Sequence, residues 1–438
     1  MGCAKIKKME IRVRIAPSPT GLAHVGNVYV AIFNYAFAKK NKGKFILRIE
    51  DTDIKRHNPK AEKVIFDAFE WLGLDYDEGP YRQSERLNLY QKYAQELIKQ
   101  KLAYQNEGAV RFKVSSGKTN WDDLVRGKIE FQNDQIKDFV ILKSDGYPTY
   151  NFAVVIDDWL MKISHVIRAE EHISNTPRQI MIYQALGAKL PQFAHLPLLR
   201  NADHSKISKR KNPVAISWYQ KQGYLPEALV NFLCLLGWSH PKGKDVFSIK
   251  EFIKYFSFDR VSTSAPIFDL KKLGWLNGVY IRQKTDKELV QLISAKGGSA
   301  PGGKSFAPKG ITSTLIGETI PLIKERIFKL ADYPSLIEFL VKEPKLDVKL
   351  LLKKSRQNKK LIKKQFELVL QELPKVEKWQ AEELEKLFRG IAVEQDYHLG
   401  KFLMAIRIAL TGKPVTPPLF ESMALLGKKE VLKRLKKV

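Results

Sequence analysis

Residues 10–73 alternate in a way that few folds accommodate. Polar and apolar side chains take turns over 10–16, which predicts a strand, and Pro17, Pro19 and Gly21 stop it. From His24 the apolar residues Val25, Val28, Ile32, Tyr35 and Ala36 recur at helical spacing until Gly43. Residues 44–50 read as a second strand, and 58–72 as a second helix opened by Asn58-Pro59 and closed by Gly73. Strand–helix–strand–helix at this spacing predicts a right-handed βαβ unit, hence a parallel sheet.

The chain is too long, at 438 residues, for one ordinary core, so three or four domains are expected. Hydrophobic residues make up 44% and charged residues 28%, a globular composition. No apolar run approaches the ~18 residues of a membrane span, and the basic start lacks the apolar stretch of a signal peptide. Cys3 and Cys234 are the only cysteines, too few for a disulfide framework or a Cys-rich zinc site. The expected address is the cytoplasm. The net charge of +28 suits a polyanionic partner such as nucleic acid, although a basic solvated surface reads the same way.

Residues 101–150 break the rhythm. Strand-like pieces at 109–114 and 139–143 flank the turn residues Ser115-Ser116-Gly117, so this stretch is expected as an insertion into the sheet domain. A strand over 164–168 and a helix over 176–186 resume the alternation. After Pro213 helices dominate. The Gly-, Ser- and Pro-rich residues 295–308 read as a flexible connection. Amphipathic helices follow, dense in lysine at 345–364 and 428–437.

A strand that breaks on Pro-Ser-Pro-Thr-Gly and opens a helix at His24 has phosphate-binding chemistry. The helix N-terminus offers free N–H donors and partial positive charge. Gly21 and Gly26 permit close approach of a nucleotide. His24 and Asn27, three apart, share one face of the first turn, placed to stabilise charge building on phosphorus. A loop His that merely caps the helix is the plainer reading. Far along the chain, Lys206-Ile207-Ser208-Lys209-Arg210 puts ammonium groups on a short loop, where they can reach phosphates or simply face water.

Together these segments carry a resemblance. Arg-Ile-Ala-Pro-Ser-Pro-Thr-Gly (14–21) followed by His24-Val25-Gly26-Asn27 resembles the "HIGH" element of glutamyl-tRNA synthetases, class I aminoacyl-tRNA synthetases, with Asn27 in place of the second His. Residues 206–210 resemble their "KMSKS" element. Similarity continues through Arg48–Asp53, Gly79–Arg86, Ser144–Tyr150 and Val166–His172, spanning the N-terminal half. The resemblance implies activation of glutamate by ATP and its transfer to tRNA. It implies catalytic roles for His24, Asn27, Lys206 and Lys209. ATP would meet Pro17, Gly21, His24, Gly26, Asn27, Glu171, Lys206, Ser208 and Lys209. Glutamate would meet Arg14, Ser18, Glu50, Tyr150 and Arg168; arginine forks grip a carboxylate and leave a neutral amide poorly paired. Taken singly, Arg14 and Arg168 read equally as ordinary ion-pairing arginines, and Glu50 as a turn or cap. Val154 stands where some relatives carry an Asn.

The implied fold class is α/β, with a Rossmann-like parallel-sheet catalytic domain interrupted by an α+β insertion and followed by a mostly helical region. The expected division is a first catalytic half (1–88), an acceptor-end insertion (89–150), a second catalytic half (151–210), a stem-contact domain (211–290) and an anticodon-binding region (291–438). Magnesium is expected with ATP, and no zinc or other bound metal. Expected partners are L-glutamate and tRNA(Glu), with tRNA(Gln) as a further candidate, because Glu338 falls near the place where discriminating relatives carry an arginine. No membrane partner is expected, and the chain is expected as a monomer. Three other readings compete: a glutamyl-queuosine tRNA synthetase, a pantothenate synthetase-like adenylyltransferase, and a non-catalytic tRNA-binding paralogue. The first two lack a need for the long basic C-terminal half. The third sits poorly with intact Arg14, His24, Arg168, Lys206 and Lys209.

Overall fold

In the computed structural model the described residues are 10–19, 23–53, 59–207, 212–294 and 305–438. They fall into two compact units, one comprising 1–220 and 225–276, the other 221–224 and 277–438.

The first unit opens with β1 (Arg12–Ile15), α1 (Val25–Lys40), β2 (Lys44–Ile49), α2 (Pro59–Leu72) and β3 (Glu78–Arg82). The three strands pair in parallel in the order β1-β2-β3; the β1–β2 pair is the one the alternation over residues 10–73 predicts, and β3 lies beyond that stretch. After α3 (Leu87–Lys99), strands β4 (Ala103–Asn106), β5 (Ala109–Phe112), β6 (Lys118–Asp123), β7 (Gly127–Gln132) and β8 (Phe139–Leu142) follow. Then come α4 (Tyr150–Leu160), β9 (His165–Ala169), α5 (Thr176–Ala185) and β10 (Gln192–Leu196). β9 lies beside β1, tied by the Ser164 N–H to the Arg12 carbonyl at 2.9 Å and by the Arg12 N–H to Ser164 Oγ at 2.8 Å.

The stretch expected as one insertion divides in two. β4, β5 and β8 form their own antiparallel sheet over α3 and α4. The β6–β7 hairpin instead extends the sheet of β9 and β10, with β6 parallel to β10. A single pair, Phe193 opposite Asp123, makes that junction, which is why local alternation gives no sign of it.

α1 is buried nearly all round rather than along one stripe. It sits between the sheet and the helices Pro226–Gly237 and Ile249–Tyr255. Phe33 meets Phe252 and Phe256 edge-on at 5.6 and 5.8 Å, each contact contributing about 0.5–1.5 kcal/mol beyond area burial. Asn34, fully buried, donates through Nδ2 to the Ile167 carbonyl on β9 at 3.0 Å and so fixes α1 against the sheet.

The second unit is helical. Its core gathers Leu351, Phe366, Phe388, Phe402, Ile406 and Met423 from the amphipathic helices Val348–Ser355, Lys359–Glu372, Ala381–Glu394, Leu399–Thr411 and Leu419–Leu426. Among the described residues no helix is long and apolar enough to cross a membrane. The connection expected at 295–308 lies mostly outside the described residues.

Candidate functional site

α1 begins at His24, whose extended backbone (φ −121°, ψ 158°) makes it the N-cap. Its Nδ1 accepts the Asn27 N–H at 3.3 Å, so the neutral ring carries its proton on Nε2. Capping and ligand-directed roles are therefore compatible, because the cap sets the tautomer. A Cβ on Gly26 would approach His24 Nδ1 to 3.1 Å, which explains a glycine at that place. The segment after the basic loop runs past this helix start: the Val25 N–H donates to the Val214 carbonyl at 2.8 Å, and the Ile216 N–H to the Ala23 carbonyl at 3.0 Å.

The loop's other root is Asn201, 3% exposed. Its Nδ2 donates to the Lys206 carbonyl at 3.0 Å, and its Oδ1 accepts from Asn212 Nδ2 at 2.7 Å. The two sides of the loop are thus clamped together beside His24. Lys206 Nζ pairs with Glu171. Gly21, Ser208 and Lys209 lie outside the described residues.

Beneath this end of the sheet runs a buried charge network. Asp158 on α4 accepts from Arg14 Nε at 3.1 and 3.2 Å and from Arg48 Nη1 at 2.7 Å. Burial pushes its carboxyl up, yet the two guanidiniums outweigh that and hold it below the usual carboxylate range. Asp157 beside it accepts from Arg86 Nε at 2.7 Å, Gln83 Nε2 at 2.9 Å and the Tyr90 hydroxyl at 2.8 Å. Glu50 meets Arg48 Nη2 at 3.4 Å, and burial raises its carboxyl despite Arg48 and Arg14.

Arg168 on β9 differs from the others. It is 5% exposed, and the partners of its nitrogens are neutral. Nε donates to His195 Nε2 at 3.1 Å, Nη1 to Gln179 Oε1 at 2.8 Å and Nη2 to Thr176 Oγ1 at 2.8 Å. Phe193 lies under it, with the ring centroid 5.7 Å from Cζ. Desolvation lowers its proton affinity. A buried charge without a counter-charge is costly unless a ligand completes it. Arg14, Arg48 and Arg86 bond directly to Asp158, Asp157 or Glu50, whereas Asp123 reaches Arg168 only through His195.

A cavity of about 660 Å³ lies over this network and reaches Arg14, Glu50 and Arg168 of it. Arg14, Pro17, Ser18, His24, Gly26, Asn27, Glu50, Tyr150, Arg168, Glu171 and Lys206 line it together. Every site residue expected from sequence and within the described residues is among them, although they come from positions 14 to 206. Val154 is not; it is buried in the apolar cluster around α4.

The family described as "tRNA synthetases class I (E and Q), catalytic domain" matches residues 10–109 and 105–275, and the family "Anticodon binding domain" matches 288–438. A glutamate–tRNA ligase of Thermus thermophilus is 41% identical over 470 aligned residues, covering 97% of this chain and 98% of that one. The glutamate–tRNA ligase of Symbiobacterium thermophilum is 40% identical, with 98% and 99% covered. A crystal structure of a glutamate tRNA ligase from Elizabethkingia meningosepticum, in complex with its amino acid, superposes with a TM-score of 0.83 at 29% identity, covering 98% and 99%. The chain belongs to the glutamate–tRNA ligases, class I aminoacyl-tRNA synthetases.

In this ligase sequence reasoning missed the buried residues that hold the site. Asp157 and Asp158 left one signal: two adjacent carboxylates in the apolar run Phe152–Leu160, both buried, ask for buried cations. His195, Asp123, Thr176 and Gln179 around Arg168 left none. His172, whose Nδ1 lies 3.2 Å from the Tyr150 hydroxyl, also lines the cavity; burial and then Arg168 push its pKa down to about 4.

Proposed function

We propose that this glutamate–tRNA ligase works through the cavity between Arg168 and Lys206. The glutamate α-carboxylate attacks the α-phosphorus of ATP, and the bond to pyrophosphate breaks. The glutamyl-adenylate then passes its acyl group to the terminal ribose of tRNA(Glu), releasing AMP. The observation that carries this reading is Arg168, a buried guanidinium held only by neutral groups at one end of a cavity whose other end is a helix N-terminus. With the free nitrogens of Arg14, it receives the substrate's side-chain carboxylate, and Tyr150 adds a hydroxyl. Glu50 and Ser18 accept from the substrate ammonium. His24, Asn27 and the first turn of α1 hold the phosphates, backed by Pro17, Gly21 and Gly26. Lys206, Ser208 and Lys209 follow the departing pyrophosphate; Lys206 exchanges Glu171 for phosphate as ATP enters. Positioning and charge stabilisation supply the rate.

Magnesium accompanies the triphosphate and neutralises part of its charge. The donor set suits an ion held chiefly by the nucleotide, since Glu50 faces Arg48 and Glu171 is paired with Lys206. In this reading 89–150 meets the acceptor end, 211–290 the stem and 291–438 the anticodon, where lysines on the second unit contact phosphates. The chain acts as a monomer in the cytoplasm.

One observation favours a second tRNA. Glu338, an anion near the place where discriminating relatives carry an arginine, lines a hollow of about 250 Å³ with Glu343, Lys342, Lys345 and Lys413. We infer that tRNA(Gln) is charged with glutamate as well. Aminoacylation of purified tRNA(Glu) and tRNA(Gln), side by side, tests both readings. Charging of neither refutes the function, and charging of tRNA(Glu) alone refutes the wider specificity.

A further inference from the structure

The β6–β7 hairpin reaches the floor of the site through one carboxylate. Asp123 Oδ1 accepts three backbone N–H groups, from Val125 at 3.1 Å, Arg126 at 3.0 Å and His195 at 3.1 Å. Its Oδ2 lies 2.5 Å from His195 Nδ1. The imidazole therefore keeps its proton on Nδ1 and turns a bare Nε2 toward Arg168, whose Nε–H it accepts at 3.1 Å. Asp123 and His195 are both buried, the ring at 0% exposure, and the ring stacks at 10° on Phe193, the same residue that underlies the Arg168 guanidinium. The Thr176 hydroxyl, 3.2 Å from the same Nε2, donates to the His172 carbonyl at 3.0 Å and accepts from Arg168 Nη2 at 2.8 Å, so it serves a different nitrogen of the guanidinium.

We propose that Asp123 and His195 are positioning residues for Arg168: they fix the tautomer that holds its Nε–H, and so set the direction in which the guanidinium's far edge meets the substrate carboxylate. This rests on the function proposed above. The arrangement makes a sharp demand of the Asp123→Asn variant. Three backbone N–H donors keep the amide oxygen at the Oδ1 place, so the amide nitrogen must occupy the Oδ2 place. It then donates to Nδ1 and drives the imidazole proton to Nε2. That proton points at the Arg168 Nε–H, so two donors face each other and the guanidinium is displaced, a tautomer error of the kind known from catalytic triads. At His195, an Asn side chain reproduces the Nδ1 donor but leaves Arg168 Nε without an acceptor. A Gln side chain can place an oxygen near the Nε2 position.

The test is pyrophosphate exchange on the full chain with tRNA present, measuring KM for glutamate and for ATP separately. D123N and H195N are expected to raise the glutamate KM at least tenfold with the ATP KM within twofold, and H195Q to stay within about threefold of the unaltered chain. A packing role would move both KM values together, or make H195Q as poor as H195N; either result overturns the proposal, as does a glutamate KM within twofold in D123N. Nitrogen-15 NMR of the unaltered chain's histidines is independent of how the variants fold. It must show His195 as the neutral Nδ1–H tautomer at pH 7, and an Nε2–H tautomer or imidazolium overturns the assignment. Absence of glutamate-dependent exchange in the unaltered chain refutes the proposed function itself, whereas normal exchange with an unmoved D123N refutes only the positioning role.

Discussion

Arg168→Met separates stability from binding more cleanly than any other substitution in the site. The guanidinium costs desolvation, and among the described residues its hydrogen-bond partners are neutral, with Asp158 acting on it only at a distance. Methionine fills similar volume without that cost. Three charge-assisted hydrogen bonds to neutral partners disappear, but Gln179 keeps its bond to Asn151 Oδ1 at 2.9 Å, Thr176 keeps its bond to the His172 carbonyl, and His195 Nε2 keeps the Thr176 hydroxyl at 3.2 Å. The two effects nearly cancel, and the net change in stability should stay within about 2 kcal/mol. At roughly 2 °C per kcal/mol for a chain of this size, Tm should move by less than about 4 °C. Binding responds differently. Hydrogen bonds to a charged group are worth about 1.5–3 kcal/mol each, so losing a two-pronged grip removes about 3–6 kcal/mol. Each 1.4 kcal/mol is tenfold, giving a rise in glutamate KM on the order of 10²–10⁴. Pyrophosphate exchange with titrated glutamate, alongside thermal unfolding, measures both. A Tm that falls by more than about 10 °C with an unchanged glutamate KM would show Arg168 to be structural and refute the reasoning.

Asp158→Asn should behave in the opposite way. It strips the charge that Arg14 and the fully buried Arg48 share, so stability should fall by about 3–5 kcal/mol and Tm by roughly 6–10 °C; a Tm within 2 °C would mean the network relaxes freely. Lys206→Ala should leave Tm unchanged, because its pair with Glu171 is largely exposed, while exchange slows about a hundredfold; full exchange activity would free the lysine from its phosphate role. For His172, the native state holds the ring's pKa down at about 4, against about 6.5 in the unfolded chain. Its neutral form therefore contributes stability that is whole above pH 6.5 and is lost as pH falls toward 4, at most about 3 kcal/mol. His172→Asn should flatten the stability–pH curve in that window in urea titrations, and an unaltered slope would contradict the assignment.

The contrast between Arg168 and Asp158 also explains what sequence could and could not reveal. β1, α1 and β2 were legible because each is specified locally: alternation makes the strand, Pro17 breaks it, His24 caps the helix, and neighbours within a few residues carry the pattern. These cavity-lining residues were legible for a related reason, since His24, Gly26 and Asn27 lie on one helical turn and Lys206 on one short loop. Their supports obey no such spacing. Arg14 meets Asp158 across 144 positions, and Asp123 meets His195 across 72. The β6–β7 hairpin joined the sheet through a single pair, so nothing in its own alternation distinguished it from the strands of the neighbouring antiparallel sheet. A carboxylate that organises a buried arginine looks, in sequence, like any surface Asp. What betrays it is charge balance: an apolar helix carrying Asp157 and Asp158 side by side must find cations inside the fold. Once those cations are Arg14, Arg48 and Arg86, Arg168 is left with no carboxylate in direct contact, and the proposed grip on an acidic substrate draws on that remainder.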